Sequence, residues 1–183
     1  MRLFTAIDLS DEVRAHIEIL QSKLKPAARI HWSPAYNLHI TLKFIGEWSQ
    51  QRLEELTTVL RTISPVGPIA IAVHGIQWFP SQYSPRAFCV GVEAPQTLHD
   101  LAKATDAAVS ALGVTKEQRA YSPHLTLARI RTPQPLPALH QAIANLASQD
   151  FGRFTAAQYH LYRSEQTSAG PIYTKLSDFP LIP

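Results

Sequence analysis

The spacing of apolar residues changes period repeatedly along this 183-residue chain, and each change predicts an element. Arg2 to Leu9, rich in β-branched and aromatic residues, predicts a strand that ends at Asp8-Leu9-Ser10. Ser10 then caps a helix over about Asp11 to Leu24. Asp11 and Glu12 lie in its first turn, Lys23 and Lys25 near its end, and Val13, Ile17, Leu20 and Leu24 form its apolar stripe. Pro26 helps terminate it. Ile30 to Ile45 holds a strand that Gly46 closes with a turn, and a helix from roughly Ser49 to Ile63 is stopped by Ser64-Pro65 and Gly67-Pro68. Extended segments follow at Ile69 to Phe79 and Ala87 to Val92, separated by the loop Pro80 to Arg86. A helix from about Gln96 to Leu112 ends at Gly113, and a strand occupies about Ser122 to Ile130. After the proline-rich link Thr132 to Pro137, a short helix to about Ala147 leads into two last strands, Phe154 to Ser164 and Ile172 to Leu176, with Gly170-Pro171 in the turn. Strands interleaved with helices predict an α+β or α/β domain.

Two of these strands carry the same short pattern: Leu38-His39-Ile40-Thr41-Leu42 and Pro123-His124-Leu125-Thr126-Leu127. Side chains alternate across a strand, so His39 and Thr41 share one face while Ile40, Leu42 and Phe44 take the other. In the second copy His124, Thr126 and Ala128 face one side and Leu125, Leu127 and Arg129 the other, unless the strand ends or bulges before Arg129 and re-aims it. The copies lie near half the chain length apart, each between helices, so an internal duplication giving two similar lobes is the natural explanation. The competing reading of each histidine is a hydrogen-bonded structural residue on a half-buried strand.

Composition sets the limits. An apolar fraction of 45% and a charged fraction of 17% are those of a globular protein, long enough for one domain or two small lobes. One cysteine, Cys89, rules out an internal disulfide, and its apolar surroundings predict a small buried hydrophobe. No apolar run has the length of a membrane span and the N-terminus lacks a signal-peptide pattern, so a soluble, cytoplasmic setting is expected. The net charge of +3, without long Lys/Arg runs, suits contact with one or a few phosphates.

Two imidazoles can divide acid–base work, one neutral ring taking a proton from the nucleophile and one imidazolium giving a proton to the leaving group. In-line displacement at phosphorus fits such a pair, because the attacking and leaving oxygens lie on opposite sides of the phosphorus. Thr41 and Thr126 would donate to the non-bridging oxygens. Arg129 is either a further donor of fixed geometry or half of a surface ion pair. A metal is the main rival for the histidines, but neither motif has a second imidazole or carboxylate at ligand spacing, and the spacing of His31, His74 and His160 suggests no role as ligands. Gly-rich phosphate loops, nucleophile elbows and dinucleotide fingerprints are absent. Trp32 and Tyr36 are read as core or lobe packing, with stacking on a base as the alternative; Tyr162 and Arg163 are also read as structural.

These residues resemble the 2H phosphoesterases, and within them the bacterial and archaeal RNA 2′,3′-cyclic phosphodiesterases once called 2′-5′ RNA ligases. Arg2-Leu3-Phe4-Thr5-Ala6-Ile7 is similar to that family's opening strand, Asn37 to Gly46 to its first motif, and Pro123 to Arg129 to its second. Leu161-Tyr162-Arg163-Ser164-Glu165 with Gly170 and Tyr173 is similar to its closing hairpin. A departure is Ser122, where many members carry a basic residue that would favour phosphate or RNA. The resemblance implies an α+β fold, with residues 1–183 forming a single bilobal domain: two pseudo-symmetric lobes of antiparallel-rich sheet with outer helices around a central cleft. One His-x-Thr motif comes from each lobe (39–42 and 124–127). It implies hydrolysis of a terminal 2′,3′-cyclic phosphate to a 2′-phosphate without metal or cofactor, with His39 the proton donor and His124 the acceptor. Thr41, Thr126 and Arg129 would hold the phosphate. A reversible, ATP-independent 2′-5′ joining is a secondary implication. The partner would be RNA with a cyclic-phosphate end, tRNA fragments included, and the protein a monomer. The competing functions are a phosphodiesterase for a small cyclic phosphate or cyclic nucleotide, and an RNA-end binding protein with vestigial catalysis.

Overall fold

In the computed structural model, which describes residues 1–63, 67–168 and 170–182, the two histidine strands lie in different antiparallel sheets. The first sheet has the order β3-β1-β8-β9, formed by β1 (Arg2–Asp8), β3 (His39–Glu47), β8 (Gln158–Thr167) and β9 (Gly170–Pro180). The second has the order β2-β6-β5-β4-β7, formed by β2 (His31–Trp32), β4 (Ile69–Phe79), β5 (Ala87–Glu93), β6 (His124–Arg129) and β7 (Asp150–Ala156). Packed against them are α1 (Asp11–Leu24), α2 (Leu53–Arg61), α3 (Gln96–Ser110) and α4 (Pro137–Ala144). The α+β class follows.

The predicted helices form where the apolar stripes lie. Ser10 Oγ accepts from Val13 N at 3.3 Å, capping α1, and Val13, Ile17, Leu20 and Leu24 are buried on its inner face. α2 begins later than its pattern suggested, because residues 50–52 form a 3-10 turn first. Ser64 and Pro65, expected to stop α2, lie outside the described residues. Burial of Leu56 and Leu60 on α2 and of Leu98, Leu101 and Val109 on α3 joins these helices to one core cluster that also takes Ile7, Ile40 and Leu161 from the first sheet and Val90 and Leu125 from the second.

Strand boundaries also differ from the sequence reading: β9, expected over Ile172 to Leu176 after a turn at Gly170-Pro171, takes those two residues into the strand and runs to Pro180. The strand expected over Ile30 to Ile45 is two: β2 joins the second sheet, a 3-10 turn at Ala35–Asn37 follows Pro34, and β3 joins the first. Pro34 has no N–H to continue a ladder, so the chain changes sheets there. Gly46 does not close β3; at φ 83° it sits within the strand, which continues to Glu47. The segment Phe154 to Ser164 is likewise divided, since β7 pairs with β4 while β8 pairs with β1 and β9. The period-2 pattern is the same in either sheet, so a change of partner leaves no mark on it.

Candidate active site

Both histidine strands bulge at the same place. In β3, Ala6 pairs with Thr41 but Thr5 with Lys43, so Leu42 is the extra residue. In β6, Cys89 pairs with Thr126 but Phe88 with Ala128, so Leu127 is the extra residue. A bulge inserts one residue without a cross-strand partner and shifts all later side chains to the opposite face. Phe44, expected opposite His39, therefore shares its face and stands 63% exposed. Arg129 is re-aimed in the same way, joining His124 and Thr126, whereas Ala128 turns into the core. The carbonyl freed at Leu127 is taken up by Ser33 N at 2.8 Å and Gln21 Nε2 at 3.5 Å, which explains a buried glutamine on α1.

The imidazoles are anchored alike. His39 Nδ1 is 2.7 Å from Asn37 O and His124 Nδ1 is 2.8 Å from Ser122 O. A carbonyl only accepts, so each Nδ1 carries the proton and each Nε2 is left for chemistry. Any residue at 122 supplies this carbonyl, so the serine there leaves the anchor intact. A phenylalanine ring supports each imidazole, Phe4 at 4.7 Å from His39 and Phe79 at 4.8 Å from His124, centroid to centroid. The sheets meet along β3 and β6. Tyr121 Oη donates to Thr41 O at 2.9 Å, tying the segment before β6 to the first motif. The charges of Arg129 and His124 push the His39 pKa down, and that of Arg129 also acts to lower those of Tyr173 and Cys89, so the two motifs lie within electrostatic reach of each other.

The surroundings of the two histidines are not alike. Opposite His39 in the ladder stands Asp8; opposite His124 stands Gly91. Asp8 Oδ1 accepts from Tyr162 Oη at 2.5 Å and Oδ2 from Lys175 Nζ at 3.0 Å. Behind them lies the buried His160, whose Nδ1 is 2.7 Å from Asp178 Oδ1 and whose Nε2 is 3.5 Å from both Asp8 Oδ2 and Lys175 Nζ. Burial pulls the Asp8 carboxyl up, but the Tyr162 and Lys175 hydrogen bonds and the nearby positive charges outweigh it and hold the pKa below its ordinary value. Burial pushes the His39 imidazolium pKa down. The Asn37 carbonyl and the Asp8 charge oppose that push, and the charges of Arg129 and His124 add to it. Burial raises the Cys89 thiol to about 11, which fits the inert core role expected of it.

Trp32 packs as expected, its indole Nε1 donating to Ala28 O at 3.2 Å and its ring edge-on to Phe88. Tyr36 does not pack: it is 77% exposed. Arg163 pairs with Glu165 at 2.9 Å, and Tyr162 stacks on Phe4 and hydrogen-bonds Asp8, contacts in keeping with the structural reading of both. No site role was legible in the sequence for Asp8, His160, Lys175 or Asp178. Their shared face appears only when β8 and β9 are aligned on β1, although Phe4, Ala6 and Asp8 at period 2 already gave a weak signal. Among the described residues no group of three or more His, Cys, Asp or Glu is placed to hold a metal ion, and no helix is long and apolar enough to cross a membrane.

The model of a family described as LigT like phosphoesterase matches residues 7–89 and again 90–173. A relative from Methanothermobacter thermautotrophicus, named RNA 2′,3′-cyclic phosphodiesterase, is 36% identical over 99% of each chain. One of the same name from Methanocaldococcus jannaschii is 34% identical over 98% of this chain and all of its own. Among solved structures, a Thermus thermophilus protein superposes with a TM-score of 0.82 at 30% identity, covering 99% of this chain and 98% of its own. Escherichia coli LigT complexed with 3′-AMP gives a TM-score of 0.78 at 26% identity, covering 98% and 97%.

Proposed function

Because the chain belongs to the LigT like phosphoesterase family, we propose that it hydrolyses the 2′,3′-cyclic phosphate at the end of an RNA to a 2′-phosphate, with tRNA fragments among its substrates, acting as a monomer in the cytoplasm without a metal. We read the chain as one bilobal unit in which each lobe supplies one histidine motif. The observation that carries this reading is the matched anchoring of His39 and His124 through Nδ1, which leaves two Nε2 atoms for two proton transfers.

His124 Nε2 takes a proton from water as the water oxygen bonds to phosphorus. The P–O3′ bond opposite it breaks, and His39 Nε2–H gives its proton to the departing 3′ oxygen. The product keeps its phosphate on O2′, and exchange with solvent restores both imidazoles. Thr41, Thr126 and Arg129 share the histidine faces of the two strands and donate to the non-bridging oxygens, whose charge grows in the transition state. Burial alone favours a neutral His39; the negative charge of the bound phosphodiester offsets this and supports the proton that His39 must donate. With the 5′-hydroxyl of a second RNA in place of water, the same steps make a 2′-5′ junction without ATP.

The test is incubation of RNA ending in a 2′,3′-cyclic phosphate with the protein in chelator, followed by identification of the product. A 2′-phosphate is expected. A 3′-phosphate, or no turnover, contradicts the proposal.

A further inference from the structure

A cavity of about 330 Å³ opens directly beside His39, bounded by the Tyr36 turn, Asp8, Tyr162, Ile172, Tyr173 and Lys175. It lies at the small end of the ~300–1,000 Å³ typical of ligand pockets. We infer that this cavity is the subsite for the terminal nucleoside of the RNA, with Tyr36 as the stacking face for its base. The inference rests on the hydrolase reading above, and three observations carry it.

The first is positional. O2′ and O3′ of a cyclic phosphate belong to one ribose, so the side from which the 3′ oxygen leaves is the side that holds the nucleoside. His39 protonates that oxygen, and the cavity is at His39. The attacking water needs only the His124 side.

The second is the state of Tyr36. Its ring is 77% exposed, and Ile172 in the lining of the same cavity is 53% exposed, whereas the other two tyrosines that line it, Tyr162 and Tyr173, pack against Phe4 or His39. A flat apolar surface left open beside a phosphate site is what a nucleobase covers.

The third is rigidity. Tyr36 sits in the middle of the turn Ala35–Asn37. Arg14 Nη1 donates to Ala35 O at 2.8 Å, and Asn37 Nδ2 donates to Pro171 O at 2.8 Å, next to Ile172. The carbonyl that anchors His39 belongs to Asn37. One short turn therefore sets both the orientation of the imidazole and the place of the tyrosine, so a base lying on Tyr36 is registered against His39. On the polar wall, Lys175 Nζ and Asp8 Oδ2 put a donor and an acceptor side by side, complementary to a base or sugar edge.

The experiment compares kcat/KM for adenosine 2′,3′-cyclic phosphate with that for ribose 2′,3′-cyclic phosphate, which lacks a base. It also measures binding of adenosine 2′-monophosphate against ribose 2-phosphate by calorimetry. The wild type is expected to prefer the nucleoside in both. Tyr36→Ala is expected to cut that preference by about tenfold to a hundredfold, Tyr36→Phe and Tyr36→Trp to keep it, since stacking needs only the ring. An undiminished preference in Tyr36→Ala overturns the subsite. Absence of turnover in the wild type sinks the hydrolase reading instead, and the binding comparison then decides the subsite by itself.

Discussion

Asp8 and His39 face each other across the β1–β3 ladder, and the carboxylate raises the affinity of the imidazole for its proton against the opposing effect of burial. The corresponding place beside His124 is taken by Gly91. The two motifs, alike in sequence and anchoring, are thus given different electrostatics by their neighbours.

Asp8→Asn removes that charge, so the pKa of His39 falls further. If His39 is the acid, activity requires its protonated form, and the alkaline limb of the kcat/KM profile moves to lower pH. A pH–rate profile of wild type and variant checks this. Movement of the acidic limb instead would show His39 to be the base.

His39→Ala and His124→Ala are each expected to lower kcat by roughly 10²-fold to 10⁴-fold on a cyclic-phosphate-ended RNA while leaving the folded structure intact. Combining the two should cost far less than the product of the single losses, because the groups act as a unit. Turnover unaffected by either change is the outcome that removes both residues from the mechanism.

Arg129→Lys keeps the charge but loses the planar fork of donors, and kcat/KM is expected to drop about tenfold to a hundredfold, with Arg129→Ala lower still. Equal activity of the lysine variant would mean that Arg129 acts only through its net charge.

Gly91→Ala places a methyl group 2.7 Å from His74 O and 2.8 Å from Gln77 Nε2. The Gln77 amide can turn away, but the strand carbonyl cannot. A loss of about 1–3 kcal/mol is expected, seen as a lowered thermal midpoint. Activity should fall with it, since β5 at this point backs His124.

Lys43 is buried and pairs with Asp106 on α3 at 2.5 Å, donating also to Thr115 O at 2.8 Å. Asp106→Asn leaves the ammonium without its counter-charge and is expected to cost about 1.5–3 kcal/mol, measured by denaturant unfolding. Burial pulls the Asp106 carboxyl up, but Lys43 and the Glu117 N–H hold its pKa below the unfolded value. Its contribution is therefore full above the unfolded pKa and is lost as pH falls through the folded one. The variant should accordingly show a shallower loss of stability on acidification.

The helices were legible because their apolar stripes and the Ser10 cap are local signals: α1 runs from Asp11 to Leu24, as its pattern indicates. The strand segments were legible as extended chain but not as members of a sheet. Nothing in residues 154–164 marks the change of partner between β7 and β8, because both sheets present the same alternation. Arg129 shows where the limit lies. Alternation alone puts it opposite His124 unless the strand ends or bulges first, and the bulge at Leu127 is what the register contains. Phe44 obeys the same displacement without that allowance having been made for it.

By itself, the sequence determined the two imidazoles, the threonines two positions later and the apolar rows that seat them, since strand periodicity and side-chain chemistry are properties of a few consecutive residues. Tertiary structure alone decided which side chains stand opposite them. Asp8, Lys175, His160 and Asp178 gather beside His39 only through the pairing of β1 with β8 and of β8 with β9, across long separations in the chain. The cavity beside His39 likewise depends on a turn tied by Asn37 to Pro171. Register and inter-strand order are set by the packing of the whole core, so the asymmetry of two matching motifs arises only when the chain is folded.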